Sequence, residues 1–366
     1  MNRPRGSQPA ELGEPAGPGN ATTATAATTT TATPSRARRR TAQAEPSVRR
    51  QLLAGALQRQ GAAAVLVVVV AVAWVSLPRF GTLENLRDVA LQSSFLAIIA
   101  LGMTFVIITG GIDLSVGSVY ALGGVLAAYG SKAGLLAAIG LPLVVCGLIG
   151  LVNGLLVARL NLAPFIVTLA SLLFARGLLL ALTAEGSTTY TIANPAVLAL
   201  GRGTVLGLGL PVWLALILCG IGGVILQRTR FGETVFATGG AESSALLMGL
   251  PVARTKIIVY TASGALAGFA GTLTAAYLQS GVTVIGVGTE LDAIAAVVIG
   301  GTLLTGGAGS ILGTLVGVLL RNVIANIINQ IGGLDSNFQS VISGALLLLV
   351  VVAQSLLART RTTPRT

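Results

Sequence analysis

The sequence predicts an all-α polytopic membrane protein with about ten transmembrane helices, some of them short or broken. Hydrophobic residues make up 53% of the chain and charged residues only 10%, whereas a soluble domain carries roughly 25% charged residues. Glycine accounts for 48 of the 366 residues, and long apolar segments follow one another from residue 61 onward. Charged side chains cover the surface of a soluble protein, so this composition excludes a soluble globular enzyme.

The residue types that the chain lacks exclude several kinds of site. Histidine is absent, so a His general base, a Ser-His-Asp triad and a His-ligated metal are impossible. Cys146 and Cys219 both lie in apolar runs, which excludes a disulfide framework and a CxxC metal site. The sequence contains no glycine-rich phosphate loop ending in Gly-Lys-Ser/Thr. We therefore expect no catalytic residue, no metal and no cofactor on this chain.

The two ends of the chain differ from the apolar middle. Residues 1–59 are rich in Pro, Ala, Thr and Arg, which predicts a disordered basic cytoplasmic tail. Residues 60–358 are the predicted transmembrane domain, and residues 359–366 the predicted cytoplasmic C-terminal tail. The basic residues that give the net charge of +11 lie between the apolar segments and at the ends of the chain, and no aromatic residues are interleaved with them. This pattern favours a membrane protein in contact with lipid over a nucleic-acid-binding protein.

A helix needs about 20 residues to cross ~30 Å of hydrocarbon, and the chain offers ten candidate segments. They are residues 61–78, 90–109, 113–130, 133–157, 164–184, 206–226, 257–278, 290–305, 309–331 and 337–357. Segments 113–130 and 290–305 are short and interrupted by glycine, which is typical of broken or re-entrant helices.

The distribution of basic residues predicts the orientation. With the N-terminus inside, the predicted inner segments hold 17 Lys and Arg, against four in the outer loops. Cytoplasmic loops are enriched in these residues, so both termini are predicted to be cytoplasmic. We expect the two arginines within spans, Arg176 and Arg321, to face the bundle or to extend toward the membrane surface.

Glycines recur at intervals of four in several spans, as in Gly309, Gly313 and Gly317 or Gly264 and Gly268. Small residues at this spacing let helix backbones approach closely in lipid. A weak internal repeat is also visible. Gly110-Gly111 and Gly117-Ser118 resemble Gly300-Gly301 and Gly309-Ser310.

Two polar segments interrupt the apolar pattern. In the first, residues 110–118, Asp113 can cap the following helix. Alternatively, it can line a polar pathway and accept hydrogen bonds from a sugar. The candidate pathway residues are Asp113, Ser115, Ser118, Thr302 and Thr305. In the second, Glu290 and Asp292 begin a span from the predicted outer side, where acidic residues favour a helix N-terminus.

The loop 227–256 is the only long cytoplasmic loop predicted after the tail. Phe231-Gly232 and Gly239-Gly240 are predicted turns, and residues 241–248 a short helix that ends at Gly249. Such a helix can dock into a groove of a partner. The alternative is a plain connecting loop on the lipid surface.

Four stretches together resemble a known family. The stretch GGIDLSVGSVYALGGVLAA, which begins at Gly110, resembles the signature of ribose/xylose-type sugar ABC importer permeases, within the branched-chain amino-acid and sugar permease superfamily. Residues 153–178, 229–271 and 290–320 agree with the same family and follow in the same order. The similarity runs from about residue 90 to residue 355.

This resemblance implies a bacterial inner-membrane permease that pairs with a second copy or a paralogue. It also implies a cytoplasmic ATP-binding subunit, which would hold ATP and Mg, and an extracytoplasmic solute-binding protein. The family's coupling helix, which seats on the ATPase, maps to Gly240, Ala241, Glu242, Ser243, Ser244, Ala245, Leu246, Leu247, Met248 and Gly249. Importers of the wider class often carry Glu-Ala-Ala-x-x-x-Gly there, and this chain departs from that pattern at Ser243-Ser244-Ala245.

The expected function is therefore import of a small neutral solute, most simply a monosaccharide, by alternating access driven by a partner ATPase. Two alternatives stay open. One is an ion-coupled secondary transporter with Asp113 as its buried carboxylate, and the other is an ABC permease for another solute such as a branched-chain amino acid. A polytopic enzyme is a weaker alternative, because the sequence contains no visible set of catalytic residues.

The predicted topology can be tested by cysteine labelling. In a variant whose Cys146 and Cys219 are replaced by Ser, a cysteine at Thr188 should react with a membrane-impermeant reagent added outside the cell. A cysteine at Ala358 should react only after permeabilisation, because both termini are predicted to be cytoplasmic. The reverse labelling pattern would contradict the topology.

Overall fold

The computed structural model describes residues 45–331, with the backbone alone over 45–60, and the single residues 341, 342, 344, 345, 348 and 352. Most of this chain is helical. The helices are α1 (Glu45–Ser76), α2 (Leu83–Ile108), α3 (Val116–Gly130), α4 (Leu135–Arg159), α5 (Pro164–Leu182), α6 (Pro195–Arg202), α7 (Leu210–Arg228), α8 (Arg230–Gly240), α9 (Glu242–Leu247), α10 (Val252–Leu278), α11 (Thr289–Ile299) and α12 (Ile311–Ile331), with a 3₁₀ turn at Ser131–Ala133.

The strands of the described chain are two residues long each. β1 (Tyr190–Thr191) pairs antiparallel with β4 (Ser280–Gly281), and β2 (Thr204–Val205) with β3 (Leu208–Gly209). They connect helix ends and form no layer of their own.

Six helices of the described chain are long and apolar enough to cross a membrane: α2, α4, α5, α7, α10 and α12. The apolar part of α1, Gly61–Ser76, is shorter. These helices confirm the all-α polytopic membrane class, and the total of about ten spans stays a prediction. The last predicted span, 337–357, lies largely outside the described residues, as do residues 1–44 of the predicted tail.

Helices α2 and α10 lie at the centre of the bundle. Most of the apolar stretch of each is buried, whereas most of α4, α5 and α7 is not. Large apolar side chains on the outer helices, such as Leu136 and Leu173, are exposed, which suits contact with lipid or with another membrane chain.

Glycine allows the close packing of α10 against α3 and α4. A Cβ atom at Gly268 would lie 2.7 Å from Cys146 Cβ, and one at Gly123 would lie 2.6 Å from Gly268 Cα. One at Gly150 would collide with the carbonyl oxygen of Tyr260. The prediction of close helix contacts at the four-residue glycine spacings is confirmed.

Helices α3 and α11 are too short to cross a membrane. At 1.5 Å per residue they extend over about 22 Å and about 16 Å, against ~30 Å of hydrocarbon. Their first turns lie together, since a Cβ atom on Gly117 would collide with the Glu290 carboxylate. From this point the two helices diverge. The end of α3 lies beside Ala137, and the segment after α11 reaches the residues around Ile108.

The structure corrects three local predictions. Helix α1 begins at Glu45, so residues 45–59 of the predicted disordered tail are helical. Helix α2 begins at Leu83 rather than 90 because Thr82 caps it, with the Thr82 Oγ1 accepting a hydrogen bond from the Asn85 N–H.

The third correction concerns the two turns predicted in the loop 227–256. Residues Arg230–Gly240 form one continuous helix, α8, because Thr229 Oγ1 accepts a hydrogen bond from the Gly232 N–H at its start. These glycines allow close backbone contact with neighbouring segments and do not turn the chain. A Cβ atom on Gly232 would collide with the carbonyl oxygen of Leu226, and one on Gly239 with that of Ile108.

Candidate functional site

The predicted short helix of the loop 227–256 is present as α9, Glu242–Leu247. Ala241 is extended and separates it from α8. Gly249 has φ +76°, a conformation that glycine adopts without strain. The Gly249 N–H donates to Leu246 O at 2.9 Å and the Leu250 N–H to Ala245 O at 3.0 Å. These two bonds form a Schellman motif and end the helix, as the sequence predicts.

One side of α9 is anchored and the other is exposed. Ala245 is fully buried, and Glu242 Oε1 lies 2.6 Å from Lys256 Nζ on α10. Leu246, Leu247 and Met248 are 56%, 90% and 68% exposed. Three consecutive large apolar side chains at the end of so short a helix are suited to insertion into a cleft of another protein.

The end of α8, just before α9, rests against two interruptions of the transmembrane helices. We call them break 1 (residues 109–115, between α2 and α3) and break 2 (residues 300–310, between α11 and α12). The Gly307 N–H donates to Ile108 O at 2.9 Å, which joins break 2 to the end of α2. A Cβ atom on Gly307 would lie 2.8 Å from Gly240 Cα, and one on Gly306 3.0 Å from Gly239 O. The end of α8 is therefore in contact with both breaks.

The two breaks correspond to the two halves of the weak sequence repeat. Gly110 in break 1 and Gly301, Gly306 and Gly307 in break 2 have positive φ, where a Cβ atom would be strained. Both breaks follow a helix that ends with tight backbone turns, such as Gly110 N–H to Ile107 O and Gly301 N–H to Val298 O. The fold thus places the similar segments in contact.

A buried polar network surrounds Asp113, which is fully enclosed. Its Oδ1 accepts hydrogen bonds from the Ser115 N–H at 3.1 Å and the Ser115 hydroxyl at 2.6 Å. Its Oδ2 accepts one from the Ser263 hydroxyl on α10 at 2.9 Å. Asn153 on α4 donates to Ser115 Oγ at 3.2 Å, and Ser171 on α5 donates to Asn153 Oδ1. The network joins break 1 to three helices.

The prediction that Asp113 caps the following helix is wrong, because the N-cap residue of α3 is Ser115 and no side chain accepts a hydrogen bond from the first turn. The Asp113 carboxylate accepts the N–H of Ser115 itself and so holds the backbone of break 1. Sequence reasoning missed Ser263, Asn153 and Ser171. The available signal was a polar side chain within an apolar span, where an isolated polar group is costly. Such side chains occur in most of the spans, and only the tertiary structure shows which of them meet Asp113.

The structure brings together some of the predicted pathway residues and separates others. Asp113 and Ser115 are in contact, and Ser118 is buried on α3. Thr302 is buried beside Ile108, whereas Thr305 is exposed. Within the single chain, therefore, four of the five lie inside the bundle, and their role in a pathway stays a prediction.

The predicted acidic pair lies in the first turn of α11, where carboxylates interact favourably with the positive end of the helix dipole. Asp292 forms an ion pair with Arg321 on α12, so this arginine faces the bundle as predicted. Arg176 donates from Nη1 to Ile285 O at 3.3 Å, in the segment that leads to Glu290. Among the residues that the structure describes, no group of three or more Cys, Asp or Glu could hold a metal ion.

Comparison with known proteins identifies the family. Residues 85–351 match the family described as the permease component of the branched-chain amino acid transport system. The ribose import permease protein RbsC of Escherichia coli strain K12 is 39% identical over 84% of this chain and 97% of its own length.

The chain belongs to this permease family. The L-arabinose ABC transporter permease protein AraH of Azospirillum brasilense is 36% identical to this permease over 81% of the chain and 87% of AraH. The fructose import permease protein FruG of Bifidobacterium longum is 35% identical over 75% of the chain and 84% of FruG. No solved structure matches the permease. The resemblance to sugar ABC permeases is confirmed, and the chain is a transport subunit rather than an enzyme.

The network around Asp113 predicts a structural effect of its loss. Asp113→Ala should lower the free energy of unfolding in detergent by about 1–3 kcal/mol for each buried hydroxyl left without an acceptor. Asp113→Asn keeps acceptor capacity and should lower it less. Exposed Asp88 provides the control, and Asp88→Ala should leave the midpoint of denaturation unchanged.

The same variants distinguish the network from a solute contact. If Asp113 acts only through the network, Asp113→Asn should change stability and transport together. An increase in KM with unchanged stability would contradict this and support direct contact with the solute.

Proposed function

We propose that this permease is the transmembrane subunit of an ATP-binding-cassette importer that moves a small neutral solute, a monosaccharide, by alternating access. The observation that carries the proposal is α9, which is anchored by Ala245 and the Glu242–Lys256 ion pair and exposes Leu247 and Met248. A helix built in this way suits the cleft of a partner ATPase. The relatives named for ribose, L-arabinose and fructose support the solute class.

The polar inventory of the breaks agrees with a neutral solute. In the breaks, Ser115, Thr302 and Thr305 carry hydroxyls and Asp113 a carboxylate, Ser118 follows in the first turn of α3, and neither break contains a Lys or Arg. An anionic substrate would favour a cationic side chain there. Hydroxyl and carboxylate groups can instead exchange hydrogen bonds with a sugar.

The coupling mechanism follows from the contacts of α8. ATP binding would close the ATPase dimer and displace α9, and Gly239–Gly240 would pass this displacement to Ile108 and to Gly306–Gly307. The breaks are the points at which α2, α3 and α12 can change direction without losing regular helix hydrogen bonds. ATP-driven transport requires that the permease make different contacts in two states, and this contact path would supply them.

The proposed assembly contains two permease chains, a cytoplasmic ATP-binding subunit and an extracytoplasmic solute-binding protein. We place α8 and α9 on the cytoplasmic side of the bacterial inner membrane, because Arg228, Arg230, Arg254 and Lys256 lie in or beside this loop and cytoplasmic loops are enriched in such residues. Both termini are then cytoplasmic. The second permease is a copy of this chain or a paralogue.

Disruption of α9 should impair coupling without unfolding the bundle. Leu247→Asp places a charge on a 90% exposed side chain, and Gly249→Val places a β-branched residue at φ +76°. Less ATPase should co-purify with each variant, and the rate of ATP-driven uptake should fall at least tenfold. The control is Gly177→Val on α5, where a Cβ atom would have open space. Wild-type coupling in Leu247→Asp would show that the loop is only a connector.

The transport reaction is tested in vesicles that contain the permease, its ATPase and its binding protein. Uptake of radiolabelled ribose, arabinose or fructose should require ATP, and unlabelled sugars should compete while leucine and valine should not. Uptake driven by an ion gradient without the ATPase would instead indicate a secondary transporter. Saturable amino-acid uptake that sugars do not affect would indicate an amino-acid permease.

A further inference from the structure

The chain between α10 and α11 crosses part of the membrane without forming a helix, and we call residues 282–288 the non-helical segment. A Cβ atom on Gly281, just before it, would lie 2.8 Å from Val125 Cα, and one on Gly286 would lie 2.3 Å from Gly117 O. These two positions are about 12 Å apart along the axis of α3. That distance and the ~16 Å of α11 together come close to the ~30 Å of hydrocarbon. The non-helical segment therefore lies at membrane depth.

The backbone of the non-helical segment is not fully paired within the chain. Among the hydrogen bonds of the described residues, none is donated by the backbone N–H of Val282, Thr283 or Val284. Lipid cannot accept these bonds. Irregular backbone occurs at membrane depth only where protein covers it or where it lines a water-filled cavity. The single chain thus leaves this segment in need of one of these two environments.

The side chains on the same side favour protein over water. Val284 and Val287 are 75% and 77% exposed, and Leu291 in the first turn of α11 is 52% exposed. Arg176 on α5 donates from Nη1 to Ile285 O and so joins α5 to this segment. One turn before it, Leu173 is 66% exposed. A continuous apolar surface of this kind is typical of a protein contact.

Two charged side chains lie within this apolar surface. Arg176 and Glu290 are both partly exposed, and the ion pairs of the described residues do not join them. The Glu290 carboxylate packs against Gly117, at the level where the non-helical segment ends. Charges at membrane depth are costly against lipid and usually have a partner. A surface with one positive and one negative group is self-complementary, because a two-fold axis brings each group to the opposite one of the other copy.

We propose that a second copy of the permease binds to this surface, which we call the pairing face. Its members are Leu173, Arg176, Val284, Val287, Glu290 and Leu291. A second copy would cover the open backbone, bury the apolar side chains and pair the two charges reciprocally. Lipid suits only the apolar side chains, and water suits only the backbone and the charges. The inference rests on the proposed function for the presence of two permease chains, and it names the surface that joins them.

Cysteine crosslinking tests the pairing face in membranes that contain the permease and its ATPase. In the variant whose Cys146 and Cys219 are replaced by Ser, Val284→Cys and Val287→Cys should form dimers with a short bismaleimide. The reason is that a two-fold interface brings equivalent residues near its axis together. The matched control is Val68→Cys, which lies in the apolar part of α1 and is 60% exposed. This control should stay monomeric on a denaturing gel.

Charge reversal tests whether the two charges pair between copies. Arg176→Glu gives a face with two acidic groups, and Glu290→Arg gives one with two basic groups. Either variant alone should lower the yield of the Val284→Cys dimer about tenfold, because like charges then meet across the axis. Expression of both variants in one cell should restore the yield, since the mixed dimer has opposite charges at both contacts. No restoration would show that the charges do not pair between copies and would contradict the proposal.

The outcomes separate this inference from the proposed function. ATP-dependent uptake tests the importer, whichever surface joins its chains. Absence of crosslinking at both valines, or failure of two differently tagged copies to co-purify, would overturn the pairing face. Reaction of Val284→Cys with a water-soluble thiosulfonate in the absence of crosslinking would also overturn it and would make the segment a wall of an aqueous pathway. The crosslinks do not depend on the charge variants, so they decide even if those variants fail to insert.

Discussion

The carboxylate of Asp113 accepts three hydrogen bonds inside the bundle, and the non-helical break 1 depends on them. Within a bilayer, irregular backbone persists only where neighbouring protein groups replace the missing helix hydrogen bonds. Ser263 supplies a bond from α10, while Thr168 on α5 donates to Ile112 O at 3.3 Å. These contacts let α2 end and α3 begin in the interior of the protein.

The irregular backbone of break 2 is held differently, through close backbone contacts that only glycine permits. Gly307 donates to Ile108 O, and its Cα lies close to Gly240 at the end of α8. The element that would meet an ATPase and the two interruptions of the transmembrane helices are therefore one continuous contact network. Rigid packing of this kind favours discrete alternative arrangements over gradual deformation, which is the behaviour that alternating access needs.

The functional assignment could be made largely from sequence, because the motifs lie in order along one chain. The proposed coupling helix is an example. A short apolar segment between Gly240 and Gly249 predicts α9 and its end, and the Schellman bonds bear this out. The prediction of turns at Phe231-Gly232 and Gly239-Gly240 was wrong, because a glycine that provides close contact looks the same in sequence as a glycine that turns the chain.

The sequence by itself determined the membrane class, the positions of most spans, the short helices α3 and α11, and the helix that would face an ATPase. These features depend on local composition, on apolar length and on spacing, which a linear sequence contains. Only the tertiary structure decided that Ser263, Asn153 and Ser171 meet at Asp113 and that Arg321 pairs with Asp292. Each of these depends on which helix faces are neighbours. That choice is made by the close packing of whole helices, so no local pattern specifies it.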